Sequence, residues 1–296
     1  MRLDRLITLH IVRPLLELRR SSKPRLPVLM YHSISGDPET GRSPYYKVCT
    51  APRHFAEQMC WLADHGYRGV TLESGLSWLK SPTPASDRQP VVITFDDGFQ
   101  DFYTAAFPIL QRHRFSATMY LPTIFIGEET RQFQSRDCLT WSEVHELFKA
   151  GVEFGSHTVN HRKLVEMDWP EIEEELRESK AAIERRIGTD VRSFAYPYAF
   201  PQARKDFVAG FQQTLRDVGY TSCTTTEVGR IKAGDSLLAL KRLPMNGADD
   251  PPLLRAKLEG AYDWLAIPQA GAKSARQLFR SKSDRHPSDL AGTLAS

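Results

Sequence analysis

The sequence predicts an α/β protein: a distorted (β/α) barrel of about seven units in a single domain. Three observations predict it. Short apolar, β-branched runs alternate with helical patterns from about residue 27 to residue 265. That alternation gives a mainly parallel sheet covered by helices. The chain has 296 residues, 41% hydrophobic and 25% charged, enough to bury one large core. No Gly-rich phosphate turn follows an early strand, which favours a barrel over an open dinucleotide-binding sheet.

The elements follow in order. Val28 to Tyr31 reads as a buried strand. Pro52 to Asp64 reads as a helix with Phe55, Met59 and Leu62 on one face and Gly66 just past its end. Tyr67 to Val70 is a strand and Leu72 to Leu79 a helix. Ser81 to Gln89 is a loop by composition. Val91 to Phe95 is a continuous apolar strand. A helix over Thr104 to His113 and a strand over Ser116 to Leu121 follow. Pro122 to Cys138 has no periodicity and reads as a long loop. Thr140 to Glu143 is a capping box that opens a helix ending at Gly151. After the strand Val152 to Phe154, Asp168 to Glu171 opens a long charged helix to about Ile187. The strand Ser193 to Tyr196, a helix over Lys205 to Val218, strands over Tyr220 to Thr225 and Leu237 to Leu243, and a helix over Pro251 to Gly260 complete the pattern.

The ends differ from this core. Residues 1–26 form a basic, amphipathic N-terminal segment, 27–265 the catalytic domain, and 266–296 a polar tail expected to be disordered. Residues 1–26 carry seven basic and two acidic side chains, and residues 266–296 carry five and two. The overall net charge of +3 therefore divides into +5, −5 and +3 along the chain. This balance argues against nucleic-acid binding. No apolar run reaches membrane-spanning length, and the broken apolar stretch at the start is a poor signal peptide. Residues 1–20 either pack on the domain or make peripheral contact with a membrane surface. A cytoplasmic location, possible at the inner membrane face, is the expectation. Cys49, Cys60, Cys138 and Cys223 form no CxxC pair and read as reduced thiols.

Active sites in parallel α/β folds lie at the carboxyl ends of strands. Four such ends carry candidate chemistry. Asp96 and Asp97 follow the strand Val91 to Phe95, and adjacent carboxylates there can split roles between metal ligand and general base. Taken alone, the DDG triplet is also an ordinary solvated turn. His157 and His161 are four apart, which is ligand spacing for a transition metal. Tyr196-Pro197-Tyr198 makes a rigid aromatic corner whose backbone N–H groups could bind an oxyanion, or simply a Tyr-Pro turn. His32 ends the first strand and is a candidate general acid.

Together, TFDDG at 94–98, SHTVNH at 156–161 and FAYPYAF at 194–200 resemble the first three motifs of the polysaccharide deacetylase family. This family is also called the NodB homology domain or carbohydrate esterase family 4. The resemblance covers roughly residues 27 to 265. It implies a distorted barrel that removes acetyl groups from an N-acetylated sugar in a polysaccharide or glycan precursor. It implies Asp96 as catalytic base, Asp97, His157 and His161 as ligands of a divalent metal, and Tyr198 as a backbone oxyanion donor. Zinc suits this donor set; Mn, Co and Ni also fit.

Two departures stand out. The third motif lacks the family's Arg, and Arg242 in the segment 240–244 is the candidate substitute; it could equally be a surface basic residue. The C-terminal Leu-x-Leu-x-His motif is absent, and Val28 to His32 looks like that motif moved to the front. This resembles the permuted branch that deacetylates poly-N-acetylglucosamine. Three other readings compete: a deformylase or amidase on a small non-sugar amide, a non-catalytic glycan-binding relative, and a non-haem iron site.

Overall fold

A computed structural model describes residues 2–17, 24–82 and 88–266. Eight parallel strands carry the architecture. They are β1 (Val28–Tyr31), β2 (Tyr67–Val70), β3 (Gln89–Phe95), β4 (Thr118–Leu121), β5 (Glu153–Ser156), β6 (Ser193–Ala195), β7 (Ser222–Val228) and β8 (Leu240–Pro244). Seven close into a ring in the order β1, β3, β4, β5, β6, β7, β8 and back to β1. The closing pairs are Leu29 with Leu243 and Val28 with Val92. Strand β2 lies outside the ring. It pairs with the first half of β3, ending at Val70 opposite Val92, while β4 takes the last two residues of the same edge.

Seven helices cover the ring: α1 (Pro52–Asp64), α2 (Leu72–Lys80), α3 (Phe107–Arg112), α4 (Trp141–Lys149), α5 (Trp169–Ile187), α6 (Lys205–Val218) and α7 (Pro251–Glu259). Both expected capping boxes form, Thr140 with Glu143 and Asp168 with Glu171. Strand period decides the layering. On β3, Val91, Ile93 and Phe95 face the helices and join the main core, which includes Phe55, Met59 and Leu62 of α1. Val92 faces inward, into a separate plug with Leu26, Val28, Leu240 and the α2 residues Leu72 and Leu79. Only glycine fits at position 75, because a Cβ there would collide with a Val92 methyl. The plug fills the lower part of the barrel interior, and the polar residues gather above it, toward the strand carboxyl ends.

The structure departs from the sequence expectation in the long segment 122–138. That segment contains a short turn, Thr123–Phe125, and a hairpin pairing Gln132–Phe133 with Arg136–Asp137. Its two-residue strands are too short to show a period. Its turn residues Gln134 and Ser135 take φ of 50° and 61° without the Gly or Asn that usually announces such a turn. The last strand also starts later than expected, at Leu240. Residues 3–17 are helical, with a wider turn over Thr8–Val12. Most of the tail 266–296, and residues 83–87 of the expected loop, lie outside the described residues. Among the described residues, no helix is long and apolar enough to cross a membrane.

Candidate active site

The predicted strand ends converge at the carboxyl mouth of the barrel. Asp96 and Asp97 follow β3, His32 follows β1, His157 and His161 follow β5, Tyr198 follows β6, and Arg242 projects from β8. Gly98, at a φ of 64°, turns the chain away just after the two carboxylates.

Arg242 is 1% exposed and points into the barrel. Its two terminal nitrogens donate to the two oxygens of Asp96 at 2.6 and 2.7 Å. Nε donates to the Thr225 carbonyl at 3.0 Å, and Nη1 also reaches Thr94 Oγ1 at 3.3 Å. The guanidinium is thereby fixed as a two-pronged clamp. Burial alone would raise the Asp96 pKa; Arg242, helped by His157 and His32, overrides it and holds the carboxylate well below its usual range. A carboxylate has about four lone-pair sites, so Asp96 keeps acceptor capacity beside the clamp.

Asp97, His157 and His161 form a second, separate group. One candidate ligand atom from each lies within 4.8 Å of the others, and all three residues are buried. Asp97 Oδ1 is 3.2 Å from His161 Nε2 and 3.6 Å from His157 Nε2. His157 Nδ1 lies 2.7 Å from the Ala195 carbonyl. A carbonyl only accepts, so Nδ1 carries the proton and Nε2 presents its lone pair to the site. Burial, against the pull of nearby Asp96, pushes the His157 pKa down to about 4, so the ring is neutral near pH 7. Asp97 Oδ1 and His161 Nδ1 are buried without hydrogen-bond partners. Orphaned atoms inside a cluster of one carboxylate and two imidazoles fit a divalent cation.

The backbone is strained here. Asp97, Thr158, His161 and Tyr198 all take left-handed φ, at 74°, 72°, 52° and 57°. Such conformations cost about 1–3 kcal/mol each and gather where a site over-determines them. His32 Nε2 lies 4.0 Å from Asp96 Oδ2 on the open side. The Tyr198 ring is half exposed and sits edge-on to His161, with centroids 4.6 Å apart.

Several contributors escaped the sequence reading. Glu175 of α5 is buried and accepts from the backbone N–H groups of Val159 and Asn160 at 2.7 and 2.9 Å, and from Asn160 Nδ2 at 2.7 Å. It holds the loop between the two histidines. The signal was present: Glu175 shares a helical face with Ile172, Leu176, Ser179 and Ile183, where a charged residue is out of place. Phe133, from the unpredicted hairpin, walls His161 at 4.9 Å between ring centres. A cavity of about 700 Å³ lies at the other end of the barrel, beside Glu153, Ser193 and Ser222, and takes no part in this cluster.

The fold and the site define a class: a parallel barrel with a metal-type triad and a clamped second carboxylate at its mouth. Residues 83–222, nearly half of the chain, match the polysaccharide deacetylase family model. The Bacillus subtilis family protein YxkH is 28% identical over 244 residues, covering 82% of this chain and 78% of its own. A poly-beta-1,6-N-acetyl-D-glucosamine N-deacetylase of Staphylococcus aureus is 29% identical over 153 residues, covering 49% of this chain and 51% of that enzyme. Streptococcus pyogenes deacetylase PplD, solved with acetate, superposes with a TM-score of 0.67 at 26% identity, covering 80% of this chain and 99% of PplD.

Proposed function

We propose that the protein is a metal-dependent N-deacetylase of an N-acetylated glycan or glycan precursor. One observation carries the reading: two adjacent buried carboxylates with different partners, Asp97 among the histidines and Asp96 in the Arg242 clamp. A pure metal-binding or glycan-binding site has no use for the second.

Asp97, His157 and His161 would hold the cation. When bound, a divalent ion polarises an amide carbonyl and lowers the pKa of a water. Zinc suits the donors, and Mn, Co or Ni would also fit. Asp96, kept ionised by Arg242, takes a proton from the attacking water. The Tyr198 backbone N–H faces the developing oxyanion. His32 gives a proton to the departing amine. Amide plus water becomes amine plus acetic acid, with the C–N bond broken and a C–O bond formed.

The test is acetate release by metal-stripped protein resupplied with Zn, Mn, Co or Ni. Substrates are N-acetylglucosamine oligosaccharides, nucleotide sugars and lipid-linked sugars. Acetate is expected only with metal, and Asp97→Ala and His161→Ala are expected to abolish it. Metal-loaded protein that releases no acetate from any of them overturns the reading; formate release would instead favour a deformylase.

We also propose peripheral membrane contact through the N-terminal segment, in a cytoplasmic enzyme. Its Arg2, Arg5 and Arg13 are engaged with Asp249, Asp250 and Glu259. Its outward face presents Leu3, Ile11, Leu15 and Leu16, which would supply the apolar part of the contact.

A further inference from the structure

Asp101 stands at the entry to the wide helical turn Phe102–Ala106, where an Asp normally caps the helix. It makes no side-chain cap bond there. Its carboxyl reaches instead across to the chain just after β1. Ser33 Oγ lies 2.5 Å from Asp101 Oδ2, and the Ile34 backbone N–H faces the same carboxyl. Ser35 Oγ lies 2.9 Å from Ser33 Oγ. A hydroxyl has one proton, so Ser33 donates to the carboxyl and accepts from Ser35. Ser33 is fully buried, and Asp101 Oδ1 is buried without a hydrogen-bond partner. An orphaned carboxyl oxygen inside a fold is costly, and a surface cap would avoid that cost. Burial, only partly offset by Ser33, Ile34 and Arg136, raises the Asp101 pKa.

The residue before Ser33 is His32. Its N-terminal side is fixed by the ladder, because the Asp96 N–H donates to the Tyr31 carbonyl at 3.0 Å. Its C-terminal side leaves the sheet. There the chain is held by the backbone bonds of Ser33 to Val48 and Thr50, at 3.3 and 2.9 Å, and by Asp101. On each side of His32, one of these anchors thus comes from the segment 96–101 that also carries Asp96 and Asp97.

We propose that Asp101 is a positioning residue for His32. By gripping Ser33 and Ile34 it fixes the turn that aims the imidazole toward Asp96. The proposal rests on the reading of His32 as the proton donor to the leaving amine.

The test separates positioning of the acid from general support of the fold. An amide needs its amine protonated as it leaves, whereas 4-nitrophenyl acetate expels a stable phenolate and needs no acid. Asp101→Ala is expected to lower kcat on an N-acetylglucosamine oligosaccharide at least tenfold. KM, bound zinc and 4-nitrophenyl acetate hydrolysis are expected to change less than threefold. Asp101→Asn keeps an acceptor oxygen for Ser33 and is expected to restore most of the amide rate. Ser33→Ala approaches the same contact from the other side and is expected to show the same split; it decides the matter if Asp101→Ala does not fold. His32→Ala is the reference for a lost acid. If the wild type does not turn over the ester, the amide alone decides: kcat falls with KM unmoved and Asn restores it. Equal losses on both substrates, or an unaffected amide rate, overturn the proposal. No acetate from amide in the wild type overturns the deacetylase reading instead.

Discussion

At the scale of single residues, the clamp on Asp96 matters most. Arg242 and Asp96 are both buried, and each satisfies the other. Removing one partner of such a pair strands a charge, at a cost of about 3–5 kcal/mol. Arg242→Met is therefore expected to lower the unfolding midpoint clearly and to cut kcat at least tenfold. Arg242→Lys, with a single-point donor, is expected to recover stability better than rate. The sign of the pH effect follows from the lowered Asp96 pKa. The wild-type group contributes stability above its unfolded pKa, and that contribution is lost as pH falls through the folded pKa. Without Arg242, burial is opposed only by His157 and His32, so activity is expected to fall at mildly acidic pH where the wild type is unaffected. Unchanged pH–rate profiles would contradict this. The sequence made Asp96, Asp97, His157 and His161 legible because their spacing is local. Arg242 was legible only as a candidate. What seats it, Thr94 and the Thr225 carbonyl, comes from two other strands that meet only when the barrel closes.

At the scale of elements, helix α5 does more than cover the sheet. Its capping box and its end near Ile187 were readable from residue order alone, and Gly188, with φ of 73°, closes it. Its inward Glu175 was harder to read, because its place on the apolar face lies within a run of glutamates that looks like a solvated face. The helix therefore acts on the metal-type site through the loop 158–160. Glu175→Ala would leave two backbone N–H groups and the Asn160 amide without their acceptor. Outer partners of metal ligands are typically worth about 10–100-fold in affinity. Zinc affinity, measured by competition with a chromophoric chelator, is expected to weaken by about that factor. The change in melting temperature without metal should be smaller than that with metal. A Glu175→Ala protein that binds zinc as tightly as wild type would show that the loop holds itself. The hairpin after β4 makes the opposite point. It brings Phe133 to His161, yet nothing in its composition marks a turn.

At the scale of the whole molecule, closure explains how a histidine at the front of the chain reaches a site built from its middle. Strand β1 lies between β3 and β8, so His32 emerges beside Asp96. The uneven charge along the sequence also acquires a structural meaning. Residues 2–17 of the N-terminal segment lie against the acidic domain. Arg2 bridges Asp4 at 2.6 Å and Asp249 at 2.8 Å, Lys257 joins Asp249 at 2.9 Å, and the Tyr262 hydroxyl donates to Asp4 at 2.6 Å. Asp249 in turn accepts from the Asn246 N–H, and Asn246 Nδ2 donates to the Pro44 and Lys47 carbonyls. The segment is thus tied, through α7's approach, to the loop that follows His32. Deleting residues 1–17 is expected to lower the urea midpoint and to reduce kcat, with Arg2→Ala showing a smaller loss of about 1–3 kcal/mol. Because these groups are shielded, the stability difference should persist in about 0.5 M salt, where exposed pairs are screened. A difference that vanishes in salt would mean that the segment is held only at the surface. The same deletion tests membrane contact: partitioning onto lipid vesicles should fall when Leu3, Ile11, Leu15 and Leu16 are removed, and unchanged partitioning would end that proposal.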